Sequence, residues 1–566
     1  MDTDIAFLHP PSIYDFRKRT LKEGPIGDVV PSTPLFEMYP IGFVSMLGYA
    51  LKHGYRGRIS NIAVLMLSSN KFEVEKYIKN IDSEIYGIDL HWLPHVQGAF
   101  NIAKIVKRLH PDKKVLFGGF TSSYFAEDIM RSNEAVDFIL TGDFMEKQLV
   151  TLLDTVERGK SLEMVPNLVY RDGDKIRRNK PLKDDNPGDS VFIDYGILIK
   201  NAIKYHDIRG HLPYYNWIRN PVAVTLIQRG CQYNCGFCGG SNFAYSNNYY
   251  PVSPVRRSPE IIADEIEAVK ETISSPVFIA GDINQTGEKH YTALFREIHS
   301  RKLDLPILTE YFVPPGRDYF RDLSRNVVDF SCEISPDSSI PNIRNITGRY
   351  YSNDALEKSI SLAREFGSKK FDVYFSIGLP YQTVEDVMKD GAYYEHLSRD
   401  FGSKEMPVYG FISPLTPFLD PGSLFYEMRE KYGYTINGSN IMDYYNILDR
   451  GSSWEDFLNY YTKWMSREDI IKATYLAGIK MVEIGSRLGY IQYEEKNRII
   501  NNIMNYMNGG EYISHEDKSR HLTYLVKEID WSRKHGLTFD SSLVFIYSVF
   551  ERVKDEFNYI FGKKHG

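Results

Sequence analysis

The chain has 566 residues, a formal net charge of −6, and 43% hydrophobic and 25% charged residues. It is therefore globular and too long for one ordinary hydrophobic core, and about three domains are expected. The acidic balance and the lack of a long Lys/Arg run exclude nucleic acid as the expected partner, and no run of about 18 apolar residues is present to span a bilayer. The opening MDTDIAFLHPP has the form of neither a signal nor a transit peptide, and four cysteines build no disulfide framework, which points to a reducing cytoplasm. Aromatic residues reach 14% of the chain; most such side chains pack in cores, and a share of them can line an apolar site.

Residues 1–165 alternate short apolar runs with helical patterns. IAFLHPP reads as a strand ending in a turn, and IGFVSMLGYALKHG reads as a helix closed by Gly54. Further strands are expected at IAVLML, IYGIDL, KVLFGG and DFILTG, with helices between them such as AFNIAKIVKRLH. Strands apolar on both faces in this alternation predict an α/β, doubly wound parallel sheet, whose ligands sit beyond the C-terminal strand ends. Residues 166–220 turn charged and turn-rich and read as a linker with one hairpin.

A second βα series fills residues 221–425, with six expected strands: VAVTLIQ, PVFIAGD, LPILTEYFV, VVDFSCEIS, FDVYFSIGLP and PVYGFISP. Six parallel strands are too few to close an eight-stranded barrel, so an open partial (β/α)6 barrel is predicted, its strand C-termini forming the rim. One connecting helix, SPEIIADEIEAVKE, has Ser258 as N-cap, Pro259 at the first helical position, and Ile262, Ile266 and Val269 on one face. From residue 426 to 566 no strand series is evident, and a helical C-terminal domain is expected to pack over the barrel mouth. Its clearest helix opens on a capping-box pair, Ser466 and Asp469, and carries Ile471, Tyr475, Ile479 and Val482 at helical spacing.

The chemistry concentrates in LIQRGCQYNCGFCGGSN. Cys231, Cys235 and Cys238 follow the first barrel strand on a loop rich in glycine, at Gly230, Gly236, Gly239 and Gly240. Zinc normally takes a fourth protein ligand, and the nearest histidine, His211, lies upstream in the linker. Three buried structural thiols are the bland alternative. A four-iron cluster held by three cysteines leaves one iron open to a substrate or cofactor.

RGCQYNCGFCGG resembles the cluster loop of the radical SAM superfamily, including Phe237 before the third cysteine. The resemblance implies a 4Fe-4S cluster whose open iron chelates S-adenosylmethionine (SAM), which one electron cleaves to methionine and a 5′-deoxyadenosyl radical. It also implies a reductant protein such as ferredoxin or flavodoxin. Along the barrel, AGDIN (Gly281, Asp282, Asn284) stands where the family binds the methionine amino group, and CEIS makes Glu333 and Ser335 counterparts of the family's ribose or amine contacts. In NITGR, Thr347 replaces the family's lysine, with Arg344 or Arg349 as the compensating cation. FSIGLPYQTVED matches the fifth-strand element, where Gly378 is expected to admit the adenine or ribose, and SPLTPFLDPGSLFYE places Ser423 where the family has threonine. Cys332 is alone, so no second cluster is expected, and it reads as a barrel-wall residue.

The first segment resembles the cobalamin-binding domain that precedes many radical SAM barrels, through HPPS, YPIGFVSMLGYALKHG, YGIDLHW, VLFGGFTSS and VDFILTGDFMEKQL. The resemblance implies cobalamin between sheet and barrel, with Gly118, Gly119, Thr121 and Ser122 at its nucleotide tail and Gly142 and Glu146 nearby. The Asp-x-His-x-x-Gly signature is absent: His9 is followed by two prolines, and Asp89, His91 and Gly98 lie at another spacing after a later strand. His91 or His95 is a candidate ligand for cobalt, against a rim or core histidine, and the alternatives are cobalamin bound without histidine ligation or a domain that keeps the fold without the cofactor. A dinucleotide is the alternative ligand of such a sheet, but no G-x-G-x-x-G follows the first strand.

Two enzyme readings compete. One is carbon–carbon bond formation, since the overall organisation also resembles archaeal proteins that close cyclopentane rings on tetraether membrane lipids. The other, placed second to ring formation, is cobalamin-dependent methylation of an unknown substrate. A lipid substrate requires a long apolar groove and peripheral contact with a membrane surface. A cluster that is purely structural or electron-carrying is the non-enzymatic alternative.

Overall fold

The computed structural model describes residues 3–19, 35–182, 188, 191–249, 254–415 and 419–507. The expected helical domain beyond Met507 lies outside these residues, as do residues 416–418 of the closing segment.

Five strands, β1 (Thr3–His9), β2 (Gly57–Asn61), β3 (Ser83–Asp89), β4 (Lys114–Gly118) and β5 (Phe138–Leu140), pair in parallel in the order 2-1-3-4-5. The chain leaves β1 in one direction and β3 in the other, so the loops after these neighbours diverge and open a crevice. Two more strands, β6 (Leu168–Asp172) and β7 (Lys175–Arg178), extend the same sheet antiparallel beyond β5. The stretch read as linker therefore contributes a hairpin to the first sheet, turning at Gly173 with φ 58°. Its outer strand KIRR is almost wholly exposed, as a charged edge strand should be.

One strand assignment is corrected. IAVLML is a buried helix, Ile62–Ser68, and the strand is the preceding GRISN. Asn61 ends that strand and caps the helix, its Oδ1 accepting the Val64 amide at 3.0 Å. A six-residue apolar run has no readable period, and the cap decides the outcome.

The second sheet begins at β8 (Ala223–Leu226). A small ribbon, β9 (Gln228–Arg229) with β10 (Val255–Arg256), brackets the cysteine loop. The sheet continues through β11 (Val277–Asp282), β12 (Ile307–Tyr311), β13 (Phe330–Asp337), β14 (Phe371–Ile377) and β15 (Val408–Pro414), all parallel in the order 8-11-12-13-14-15. These are the six strands read from the sequence, and they form an open partial barrel. On β13 and β14, Cys332, Ile334, Val373 and Phe375 are buried, whereas Glu333, Ser335, Tyr374 and Ser376 alternate with them and are less buried. One face is thus packed under helices and the other opens on the lumen. In the helix Pro259–Thr272, Ile262, Ile266 and Val269 are buried as expected.

The remaining described chain is mainly helical and adds an antiparallel pair not expected from sequence, β16 (Tyr434–Ile436) with β17 (Tyr460–Thr462). The helix Arg467–Arg487 begins with the reciprocal capping box of Ser466 and Asp469. It packs against the helix Val384–His396 and β15. Its buried side includes Tyr475 and Val482 but also Ile470, Ala473 and Ala477, so it is wider than the stripe read from sequence. Among the described residues, no helix is long and apolar enough to cross a membrane.

Candidate active site

The cysteine loop leaves the end of β9 through Gly230, which adopts φ 76°. The Tyr233 amide donates to Cys231 Sγ at 3.4 Å, and the Gly240 amide donates to Cys238 Sγ at 3.3 Å. Neighbouring elements clamp the loop. The Gly236 amide donates to the Thr347 carbonyl at 3.0 Å, the Phe425 amide to the Gly236 carbonyl at 2.8 Å, and the Gly239 amide to Asp420 Oδ2 at 2.9 Å. At Gly348, with φ 98°, a Cβ would come within 2.7 Å of the Asn234 carbonyl, so glycine lets the NITGR segment lie against the loop.

Among the described residues, no three His, Cys, Asp or Glu side chains converge closely enough to hold a single metal ion. Mononuclear zinc draws its thiolates to about 2.3 Å from one atom. A four-iron cluster places each cysteine on a different iron and spreads its ligands. Three cysteine thiols on one glycine-rich loop are the donor set that such a cluster takes. Burial pushes the Cys231 thiol up to about 12 and raises Cys235 and Cys238 as well; a bound metal's charge would reverse that balance.

Around the rim, the structure redistributes the roles expected from sequence. Arg344 is spent within its own turn, donating from Nε to the Ser338 carbonyl and from Nη1 to the Tyr351 carbonyl, both at 2.9 Å, and from Nη2 to Asn353. Arg349 is the available cation. It is 5% exposed and lies 4.6 Å over the Phe312 ring; its Nε pairs with Asp337 Oδ2 at 3.4 Å, and its Nη1 has no hydrogen-bond partner. Its charge acts on both Cys231 and Cys235. A buried guanidinium with an unsatisfied donor beside the cysteine loop is arranged to receive an anion.

Asp282 is also largely spent on the fold: Oδ1 accepts the Asn284 amide at 2.8 Å and Oδ2 the Phe312 amide at 3.0 Å. Burial raises its carboxyl to about 7. Gly281, at φ 93°, donates its amide to Glu310 Oε2 at 2.8 Å. Glu310 and Glu333 stand at matching register on β12 and β13, and burial, with Glu310 beside it, raises the Glu333 carboxyl well above its usual range. Ser335 follows Glu333 on the lumen face. Gly378, expected to admit adenine, is closed off by protein: a Cβ there would meet the Tyr460 ring at 3.0 Å, and its carbonyl accepts the Tyr434 hydroxyl at 2.8 Å. Phe237 packs against the core, Ser423 caps a short helix by accepting the Tyr426 amide at 3.3 Å, and Cys332 is fully buried in the wall beneath Thr309 and Tyr311.

A cavity of about 450 Å3 lies between the first sheet and the barrel. Its walls are mostly apolar, with Phe7, Met38, Phe43 and Phe117 on one side and Val224, Leu226 and Ala280 of the barrel on the other. Of the residues expected at a nucleotide tail, Gly118 and Gly119 line it, as do Gly142 and Glu146, expected nearby, and His91, a candidate for cobalt. Thr121 and Ser122 do not. Thr121 donates to the His91 carbonyl from its amide at 3.1 Å and its hydroxyl at 3.0 Å, and the Ser122 amide donates to the Leu90 carbonyl at 3.1 Å. Their work is to hold the loop after β3. His95 meets the Phe36 carbonyl at 2.9 Å through Nε2 and leaves Nδ1 without a hydrogen-bond partner, but it does not line the cavity, and His9 is fixed by Asp89 at 2.8 Å. The open glycine edges at Gly42 and Gly118, where an added Cβ would meet nothing within 4 Å, and the broad apolar wall suit a flat macrocycle such as a corrin.

Arg229, two residues before Cys231, joins the cavity to the cysteine loop. Buried at 8% exposure, it pairs with Glu146 at 2.9 Å and Asp143 at 3.0 Å, both from the first sheet's side, and lies 4.8 Å over the Phe144 ring. Tyr245, just after the loop, donates to Asp143 Oδ2 at 2.8 Å. Sequence reading missed Arg229, Asp143 and Tyr245; the only local signal was an arginine adjoining the cysteine motif.

Comparison with known proteins places this arrangement. Residues 225–391 match the radical SAM superfamily. Residues 225–391 of this chain thus carry a radical SAM domain. It is 23% identical over 317 residues to an uncharacterized methyltransferase of Pyrococcus horikoshii, a match spanning 56% of this chain and 64% of that protein, so just under two thirds of that relative's length. It is 23% identical over 439 residues to the anaerobic magnesium-protoporphyrin IX monomethyl ester cyclase of Rubrivivax gelatinosus, covering 73% of this chain and 72% of that one. The fold is shared with the radical S-adenosylmethionine methyltransferase TsrM of Kitasatospora setae, solved with cobalamin and a [4Fe-4S] cluster, at TM-score 0.60 and 14% identity over 94% of this chain and 100% of that chain.

Proposed function

We propose that this chain is a cobalamin-dependent radical SAM methyltransferase. The observation that carries the reading is the apolar cavity between sheet and barrel, tied by Arg229 to a loop whose three cysteines are spaced for a cluster. The shared fold with a cobalamin-bearing methyltransferase and the methyltransferase relative support it. When bound, the cluster and SAM supply a 5′-deoxyadenosyl radical, and cobalamin supplies a methyl carrier.

The chain's own residues bind, orient and shield. Cys231, Cys235 and Cys238 hold the cluster and leave one iron for SAM. Arg349 receives the methionine carboxylate with the donor that the fold leaves open. Gly281, Asn284, Glu333 and Ser335 face the rim and lumen where the rest of SAM and the substrate would lie. The apolar wall of the cavity keeps water from reactive species. The electron donor is proposed to be a ferredoxin- or flavodoxin-type protein.

Arg349→Gln is expected to weaken SAM binding about ten- to a hundredfold, since a charge-assisted hydrogen bond contributes about 1.5–3 kcal/mol. Equilibrium dialysis of SAM against the reconstituted protein, with iron content unchanged, measures this. Unaltered affinity would return the carboxylate to another residue.

Ring formation is the second reading, favoured by the cyclase relative that aligns over 73% of the chain. The tetraether lipid substrate expected from the sequence draws no support from these relatives. Incubation of the reconstituted protein with deuteromethyl-SAM and an extract of small molecules and lipids separates the readings. A product carrying the labelled methyl group supports methyl transfer, and a product lacking two hydrogens supports ring closure.

A further inference from the structure

Cobalt bound in the cavity between sheet and barrel would have one protein base within its walls, and the surrounding structure appoints it by elimination. Of the charged groups in the wall, Asp89 is paired with His9, and Arg229 is paired with Asp143 and Glu146. Among the described residues, His91 is the ionisable side chain of this wall that makes no hydrogen bond through its side chain. Its lone pair is therefore available, and burial holds the imidazole below its usual pKa, in the neutral form that ligates metals.

The position of His91 is built as well as vacant. It follows Leu90 at the C-terminal end of β3, beside β1, where the sheet's connections diverge and a ligand is received. Two donors of Thr121 grip its carbonyl, at 3.1 Å and 3.0 Å. Its ring sits against Trp92 and Phe120, each with centroids 4.7 Å away. Gly119, at φ 111°, passes so close that a Cβ would lie 2.5 Å from the His91 Cα. Asp143 and Asp89 act on the ring as negative charges without bonding to it.

We propose that His91 is the protein ligand to cobalt, coordinating the metal through an imidazole nitrogen from the face of the corrin turned toward the first sheet. The proposal rests on the cobalamin reading above. It gives the domain a ligating histidine after β3 in place of one after β1, where His9 is buried and bonded to Asp89 and to the Phe36 carbonyl.

The test is electron paramagnetic resonance of the full chain, loaded anaerobically with cobalamin, reduced to the cob(II) state, and grown with histidine carrying the heavy, spin-half nitrogen isotope. A coordinating His91 splits each high-field cobalt line into a doublet in the labelled protein and a triplet in the unlabelled one. The variant His91→Gln is expected to lose that splitting while still retaining corrin absorbance after gel filtration. Triplets that persist in the labelled protein would mean that cobalamin's own benzimidazole is the ligand, and lines with no nitrogen splitting would mean no nitrogen ligand; either overturns the proposal while leaving the cobalamin reading intact. Failure of the wild-type protein to retain any corrin overturns both. A labelled doublet that survives in His91→Gln would assign the ligand to another histidine.

Discussion

Cys235→Ala is expected to give a protein that folds normally yet holds no stable four-iron cluster. Of the three residues Cys235 is the buried one, at 5% exposure, and it stands between segments clamped through Gly236 and Gly348. The loop's backbone is fixed by Thr347, Phe425 and Asp420, none of which depends on the sulfur, so the fold should survive. A cluster left with two thiolates loses one of its anchors, and among the described residues the fourth cysteine, Cys332, is buried in the barrel wall and cannot replace it. Iron and sulfide analysis after anaerobic reconstitution, beside far-ultraviolet circular dichroism, checks both halves. Full iron loading in this variant would remove Cys235 from the cluster.

Arg229→Met should destabilise the whole molecule by about 3–5 kcal/mol, because removing one member of a buried ion pair leaves its partner charged and uncompensated. Here the stranded groups are Glu146, which is 1% exposed, and Asp143. Ser45 continues to donate to Glu146 at 2.7 Å, which softens the loss without supplying a charge. Arg229→Lys keeps the charge but not the fork that reaches two carboxylates, and an intermediate loss is expected. Denaturant unfolding of the three proteins measures the series. Equal midpoints would show that the contact between cavity and cysteine loop does not depend on this pair.

Legibility from sequence followed the range of the interactions. The six barrel strands were readable because each is an apolar run bounded by turn residues, and the cysteine loop because its chemistry is local. The hairpin of β6 and β7 is expected within the linker, but its place in the first sheet is not legible, since KIRR, a charged edge strand, carries no apolar period. IAVLML was misassigned because six apolar residues fit a strand or a helix equally, and Asn61 decided for the helix through one side-chain bond. Arg344 and Arg349 could not be told apart in sequence: the fold spends the first on carbonyls of its own turn and leaves the second with an unsatisfied donor. The same limit applies to Thr121 and Ser122, whose donors hold the loop after β3, and to Gly378, whose open side is filled by Tyr460 from about 80 residues away.

The most direct test of the account is formation of 5′-deoxyadenosine by the anaerobically reconstituted full chain given SAM and a one-electron reductant, measured by liquid chromatography and mass spectrometry. Production that requires the reductant and all three of Cys231, Cys235 and Cys238 is predicted. A fully iron-loaded protein that leaves SAM intact under those conditions would contradict it.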